Sequence, residues 1–207
     1  FRQPPARPAM KIESVGDSIS AGANAMRTQD ADLADTGSEN SLASYGAVAA
    51  GMLGAEFNTV CRSGLLLTDS YANIFDYYEK YGERDPAAWD FSLYVPDAVI
   101  VDLGTNDIIL NDASFGTVFE ADYKAFAAEL REKYPSAAIV VCYGSYGSAA
   151  VAAQNALFAR LAQELDASLG NVFGFELTRA ASGHPRQEEH AANAQRLAAF
   201  LEENIFA

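Results

Sequence analysis

Asp97-Ala-Val-Ile-Val-Asp-Leu103 is a nearly unbroken apolar run, and Gly104-Thr-Asn-Asp107 follows it at once. A strand with one wet face alternates apolar and polar residues. A run such as this one is buried on both faces, as in a parallel sheet covered by helices. Residues 138–144 (AIVVCYG) read the same way. Shorter strand signals lie at residues 10–15 (MKIESV), about 55–61, and 172–177 (VFGFEL).

Helical periodicity fills the intervals. A helix is expected from about Asn40 to Leu53, with Leu42, Tyr45, Val48 and Met52 on its apolar face. Another runs from about Gly116 to Tyr134, with Phe119, Tyr123, Phe126 and Leu130 aligned, and Pro135 stops it. A third spans about Ala149 to Ala167 through Leu157, Leu161 and Leu165. The last runs from about Pro185 to Ile205, with Pro185 in its first turn. Five strands alternating with helices predict an α/β fold, an open parallel sheet between two helical layers. In such sheets the functional site lies at the carboxyl ends of the strands. Ser18 follows the first strand, Gly64 the second, Asn106 the third, and His184 lies beyond the last.

The chain has 207 residues, half of them hydrophobic and 20% charged, which suits one folded domain with a full core. Phe1 to Pro8 holds three prolines and two arginines, so residues 1–9 read as a linker tail and residues 10–207 as the domain. The net charge of −14 repels phosphate backbones and anionic lipid, which argues against nucleic-acid and membrane partners. That acidity either only keeps the protein in solution or implies a neutral or cationic substrate. No apolar stretch reaches about 18 residues, the length a membrane-spanning helix needs. Cys61 and Cys142 fall in strand-like runs and read as buried free thiols, with no Cys/His cluster for a metal.

Two histidines are present. His184 sits in a Gly-His-Pro loop where it can face a cleft, while His190 lies inside a helix and reads as structural. A serine nucleophile needs such a base to take its proton, and Ser18, at a strand-end turn, is the candidate. Gly64 can bring a bare N–H to a developing oxyanion, and Asn106 can add a side-chain amide. Each of these residues also has an ordinary turn-forming explanation.

Taken together, GDSIS (16–20), Ser63-Gly64, GTND (104–107) and HPxxxxH (184–190) are more specific. In this order they resemble the blocks of the SGNH (GDSL-like) hydrolase superfamily. That resemblance implies a flavodoxin-like α/β/α fold and an esterase with Ser18 as nucleophile and His184 as base. The Ser18 N–H, the Gly64 N–H and the Asn106 amide would form the oxyanion hole, with no metal or organic cofactor. KIESVGDSISAGANA (11–25), ENSLASYGAVAAGMLGAEFN (39–58) and AWDFSLYVPDAVIVDLGTND (88–107) look like carbohydrate esterase family two. Its members remove acetyl groups from plant polysaccharides such as xylan and glucomannan, which implies secretion and an acylated carbohydrate partner. A sugar-binding domain without turnover, or a lipase or thioesterase on the same fold, are the alternatives.

One position departs from the superfamily pattern. Where most members carry an Asp three residues before the histidine, this chain has Ala181, followed by Ser182 and Gly183. Either a loop carbonyl accepts the imidazole Nδ1–H and leaves a Ser–His dyad, or the site is weakened. Asp102, polar in an otherwise apolar strand, is either a distant acid or, as it reads here, a structural residue near the strand end, and Asp107 reads as loop-fixing. Residues 71–91 hold Tyr71, Phe75, Tyr77, Tyr78, Tyr81, Trp89 and Phe91. Most of them would pack the segment onto the body, and Tyr71 and Trp89 are the candidates for stacking on a sugar ring.

Overall fold

A computed structural model describes residues 7–27, 36–68, 73–82, 85–110 and 115–207. In chain order the strands and helices are β1 (Lys11–Gly16), α1 (Tyr45–Met52), β2 (Glu56–Cys61), α2 (Ile74–Tyr78), β3 (Lys80–Gly82), β4 (Asp85–Ala88) and β5 (Ala98–Asp102). There follow α3 (Thr105–Leu110), α4 (Thr117–Lys133), β6 (Ala138–Tyr143), α5 (Ala149–Ala152), α6 (Asn155–Leu169), β7 (Val172–Glu176) and α7 (Gln187–Asn204). Five strands form a parallel sheet in the order β2-β1-β5-β6-β7. The chain leaves β1 toward one edge and returns to build toward the other. The point of reversal is the crevice between β1 and β5, where open α/β sheets bind ligands. Gly16 is in register with both Cys61 and Asp102, so β1, β2 and β5 end level with one another.

Alternation along the strands splits the core in two. Val15, Val99, Val101, Ile139 and Val141 share one cluster with Phe119, Phe126 and Leu130 of α4 and with Phe158 and Leu161 of α6. Ile12, Ala98, Ile100, Ala138 and Val140 share the other with Tyr45 and Ala49 of α1 and with Ala194 and Leu197 of α7. This is the α/β/α sandwich the sequence predicts.

Three local expectations change. The helix expected from Asn40 starts at Tyr45, because Asn40 accepts from the Leu42 N–H at 3.1 Å and caps a separate turn, Ser41–Ala43, while Ser44 accepts from the Ala47 N–H and caps α1. Its buried face carries Tyr45, Gly46, Ala49 and Ala50, while Leu42 is 77% exposed and Met52 52%. The helix expected over 149–167 is two pieces, α5 and α6. Within 71–91, α2 and the antiparallel β3–β4 hairpin replace an irregular segment. Of the expected tail, residues 1–6 lie outside the described residues, and Arg7 stands 3.7 Å from Glu56. Both cysteines are free. Among the described residues no helix is long and apolar enough to cross a membrane.

Candidate active site

At Gly16 a Cβ atom would lie 2.1 Å from Ser20 Oγ and 2.8 Å from the Asp102 carbonyl oxygen, so glycine alone lets β1 end this close to β5. The chain then winds into consecutive turns. The Ile19 N–H donates to Asp17 Oδ1 at 2.9 Å, the Ala21 N–H to the Asp17 carbonyl at 3.0 Å, and the Ala23 N–H to the Ser18 carbonyl at 2.9 Å. These bonds fix Ser18, which is buried except for its approach to the crevice. Its Oγ stands 2.7 Å from His184 Nε2, across 166 residues of sequence. With the ring hydrogen on Nδ1, the hydroxyl donates to Nε2 and is set to lose its proton there.

Neither the Ser18 N–H nor the Gly64 N–H has a hydrogen-bond acceptor among the described residues. Unpaired backbone donors are rare in folded proteins, and at the mouth of a crevice they are free to meet an anion. Gly64 has φ +84, a left-handed conformation that favours glycine, and the space where a side chain would point is open. Asn106, in the first turn of α3, donates its amide to the Leu65 carbonyl at 2.9 Å and to Asp17 Oδ2 at 3.2 Å. That ties the strand-end loops after β1, β2 and β5 together.

Three carboxyl groups lie beneath these loops. Asp17 is held well above the ordinary carboxylate range by burial and by the neighbouring Asp102, against the pull of the Ile19 N–H. Asp102 is pushed up to about 7 by burial, although the Tyr45 hydroxyl donates to it at 2.9 Å. Among the described residues no histidine hydrogen-bonds to it. Asp107 accepts from the Leu67 and Thr68 N–H groups and from the Thr68 hydroxyl, which anchors the segment after Gly64.

His184 rides on a loop held from several sides. The Gly147 N–H donates to the Gly183 carbonyl at 2.7 Å, and the Ala180 N–H donates to the Ser145 carbonyl at 2.8 Å. Glu189 accepts from the Ala181 N–H and the Arg186 N–H, both at 2.8 Å. The Tyr146 ring packs perpendicular to the imidazole, centroids 5.1 Å apart. No acceptor for Nδ1, neither a carboxylate nor a loop carbonyl, is present among the described residues. The carbonyl acceptor that a dyad reading invokes is therefore not found there. Burial lowers the His184 pKa, and the charge of Glu39 works against that. Glu39 is anchored by the Ser63 hydroxyl at 2.6 Å. His190 is fully buried and accepts the Tyr45 N–H at Nδ1, 3.2 Å away, which is a structural role.

The aromatic candidates separate. Tyr71 lies outside the described residues. Trp89 lines a cavity of about 190 Å³ over edge strand β2, with Glu13, Asn58, Tyr77, Tyr78 and Phe91, and none of Ser18, Gly64, Asn106 or His184 reaches it. Phe75 and Tyr78 pack edge-on against Phe126, and Phe91 packs against Tyr134. Sequence reasoning missed Glu189 and Tyr146. Glu189, third residue of α7, accepts the Arg186 N–H, but with Arg rather than Ser or Thr at the N-cap no capping-box signature marks it, and nothing local marks Tyr146. Among the described residues no three His, Cys, Asp or Glu side chains are grouped to hold a metal ion.

The chain is 37% identical over 139 residues to the cellulase/esterase CelE of Acetivibrio thermocellus, covering 65% of this chain and 17% of that one. It is 30% identical over 210 residues to an acetylxylan esterase / glucomannan deacetylase of Cellvibrio japonicus, covering 95% of this chain and 58% of the relative. A family two carbohydrate esterase from Clostridium thermocellum, solved in complex with cellohexaose, has a TM-score of 0.87 at 29% identity, over 98% of this chain and 66% of that one. The chain thus spans less than two thirds of each of these relatives. Its sequence matches one family from Ser14 to Glu203, and the chain belongs to that family, the GDSL-like lipase/acylhydrolases.

Proposed function

We propose that this chain is a serine esterase that removes acetyl groups from carbohydrate esters. The observation that carries the reading is the 2.7 Å contact between Ser18 Oγ and His184 Nε2, together with the Ser18 and Gly64 N–H groups, which have no acceptor among the described residues. Ser18 Oγ attacks the ester carbonyl carbon as its proton passes to His184 Nε2. The tetrahedral oxyanion is met by the Ser18 and Gly64 N–H groups and by the Asn106 amide, each such donor being worth about 3 kcal/mol. For Asn106 the oxyanion takes the place of the longer contact, to Asp17. Collapse breaks the bond to the sugar oxygen, which takes the proton back from Nε2 and leaves acetyl-Ser18. Water, deprotonated by His184 Nε2, then attacks the acetyl carbon, the bond to Ser18 Oγ breaks, Oγ takes the proton back from Nε2, and acetate departs.

The named relatives support the acyl and sugar classes: one is an acetylxylan esterase / glucomannan deacetylase, and a solved neighbour holds cellohexaose. The negative net charge suits a neutral polymer. Such polymers do not cross membranes, so the enzyme is expected to act outside the cell. The lack of an Nδ1 acceptor among the described residues favours a second reading, a sugar binder without turnover, because loss of the acid from a triad built around it can cost about 10⁴ in kcat. Here the charge of Glu39 supports the imidazolium from a distance.

The test is initial-rate hydrolysis of 4-nitrophenyl acetate, butyrate and octanoate, with acetate release from acetylated xylan, by wild type, Ser18→Ala and His184→Ala. Acetate-selective turnover lost in both variants is expected. Faster octanoate hydrolysis would point to a lipase-like enzyme, and sugar binding without turnover to the second reading.

A further inference from the structure

This inference rests on the assignment of Ser18 and His184 above. In a triad the carboxylate on Nδ1 stops the imidazole from swinging away from the nucleophile. His184 is hydrogen-bonded only at Nε2 among the described residues, so another contact has to restrain the ring. The Tyr146 ring stands 5.1 Å from it, centroid to centroid, at an interplanar angle of 88°. This edge-to-face arrangement is one that ring quadrupoles favour.

The backbone makes the pair one unit. Tyr146 sits in the loop after β6, and its neighbour Gly147 forms an antiparallel bridge to Gly183, the residue before His184. The Ser148 N–H closes a turn onto the Tyr146 carbonyl at 2.8 Å. These bonds fix the two backbone segments that carry the rings relative to one another. The Tyr146 hydroxyl makes no hydrogen bond among the described residues, so the contact belongs to the ring and not to the phenol.

We propose that Tyr146 is the positioning residue of His184, its ring holding the imidazole in line with Ser18 Oγ where other members of the superfamily use a carboxylate. A displacement of about 1 Å at a reacting group can cost about 10²-fold in rate, so the restraint matters kinetically.

The experiment measures kcat and KM on 4-nitrophenyl acetate, a small ester with no sugar for Tyr146 to stack on. Wild type, Tyr146→Phe, Tyr146→Leu and His184→Ala are compared, each checked for folding by circular dichroism. Tyr146→Leu is expected to lower kcat about 10–100-fold with KM within about twofold, and Tyr146→Phe to stay within about threefold of wild type. Tyr146→Met, which keeps bulk without a ring, stands in if the leucine variant does not fold. The proposal is overturned if Tyr146→Leu keeps its kcat, if it raises KM alone, or if Tyr146→Phe loses as much as Tyr146→Leu. A wild-type rate in His184→Ala removes the catalytic reading and this proposal with it. A dead His184→Ala beside an unimpaired Tyr146→Leu removes only the proposal.

Discussion

One carboxylate grips both flanks of the His184 loop: Glu189 accepts the Ala181 N–H through Oε1 and the Arg186 N–H through Oε2, each at 2.8 Å. The Arg186 bond satisfies the N-cap backbone N–H at the start of α7. The Ala181 bond reaches back three residues beyond His184, to the position where the superfamily usually carries an acid. Glu189→Ala leaves two N–H groups without an acceptor. A stability loss of about 1–2 kcal/mol in urea unfolding is expected, since the site is partly exposed. The fall in kcat should exceed what the folded fraction explains, because the loop that drifts carries the base. An unchanged kcat in a folded Glu189→Ala protein would show that Glu189 only caps the helix.

The pH profile of kcat/KM follows from the half-buried imidazole. Burial lowers the His184 pKa from 6.5, and the charge of Glu39 works against that. The base acts in its neutral form, so the rate is expected to rise with pH through a pKa below 6.5 and then level off. Glu39→Gln removes the opposing charge and should move this acid limb to still lower pH. A limb that moves up, or stays fixed, would mean that Glu39 does not act on His184.

How much of this was legible beforehand depends on what each residue meets. The apolar runs of β5 and β6 are buried on both faces, and such burial leaves its mark in the residues themselves. The inner face of α1 does not: it is built from Gly46, Ala49 and Ala50, and a Cβ at Gly46 would already stand 3.6 Å from the Phe57 ring. Close approach selects small residues there, so the larger Leu42 and Met52 misdirect a reading by hydrophobicity. The α5–α6 break falls in an alanine-rich stretch with no breaker, because Gln154 keeps right-handed helical dihedrals across it. Ser18 and His184 were legible because strand ends converge on one edge of a parallel sheet. Tyr146 was not, since its meeting with His184 depends on a bridge between two loops 36 residues apart, Gly147 to Gly183.

Gly64 separates conformational demand from crowding. Its φ of +84 disfavours any side chain, yet among the described residues nothing lies within 4 Å of where a Cβ would stand. Gly64→Ala is therefore expected to fold, at a cost of about 1–2 kcal/mol if the left-handed conformation is kept. Relaxation out of it turns the residue 64 N–H away from the crevice and should lower kcat by up to about 10²-fold. Thermal unfolding with kcat on the acetate ester reads both effects. A Gly64→Ala protein with wild-type kcat and lowered stability would remove this N–H from the oxyanion hole.

His190 supplies a stability dependence of known sign. Burial lowers its pKa from 6.5 to about 4, outweighing the Ala23 carbonyl that favours the charged ring. The unfolded chain therefore binds a proton that the folded chain refuses between those two values. Stability is whole above pH 6.5 and is lost as pH falls toward 4, by about 3 kcal/mol in total. Asp102, raised to about 7, works in the opposite direction over much of the same range, because the folded state holds its proton longer. A raw stability curve mixes the two, so the informative quantity is the difference between wild type and His190→Asn. The Asn carboxamide oxygen can accept the Tyr45 N–H as Nδ1 does, but it does not titrate. Urea unfolding from pH 4 to 8 should show a gap that is constant above pH 6.5 and shrinks, or reverses, as the solution is acidified. A gap independent of pH would mean that His190 takes up its proton as readily in the folded protein as in the unfolded chain.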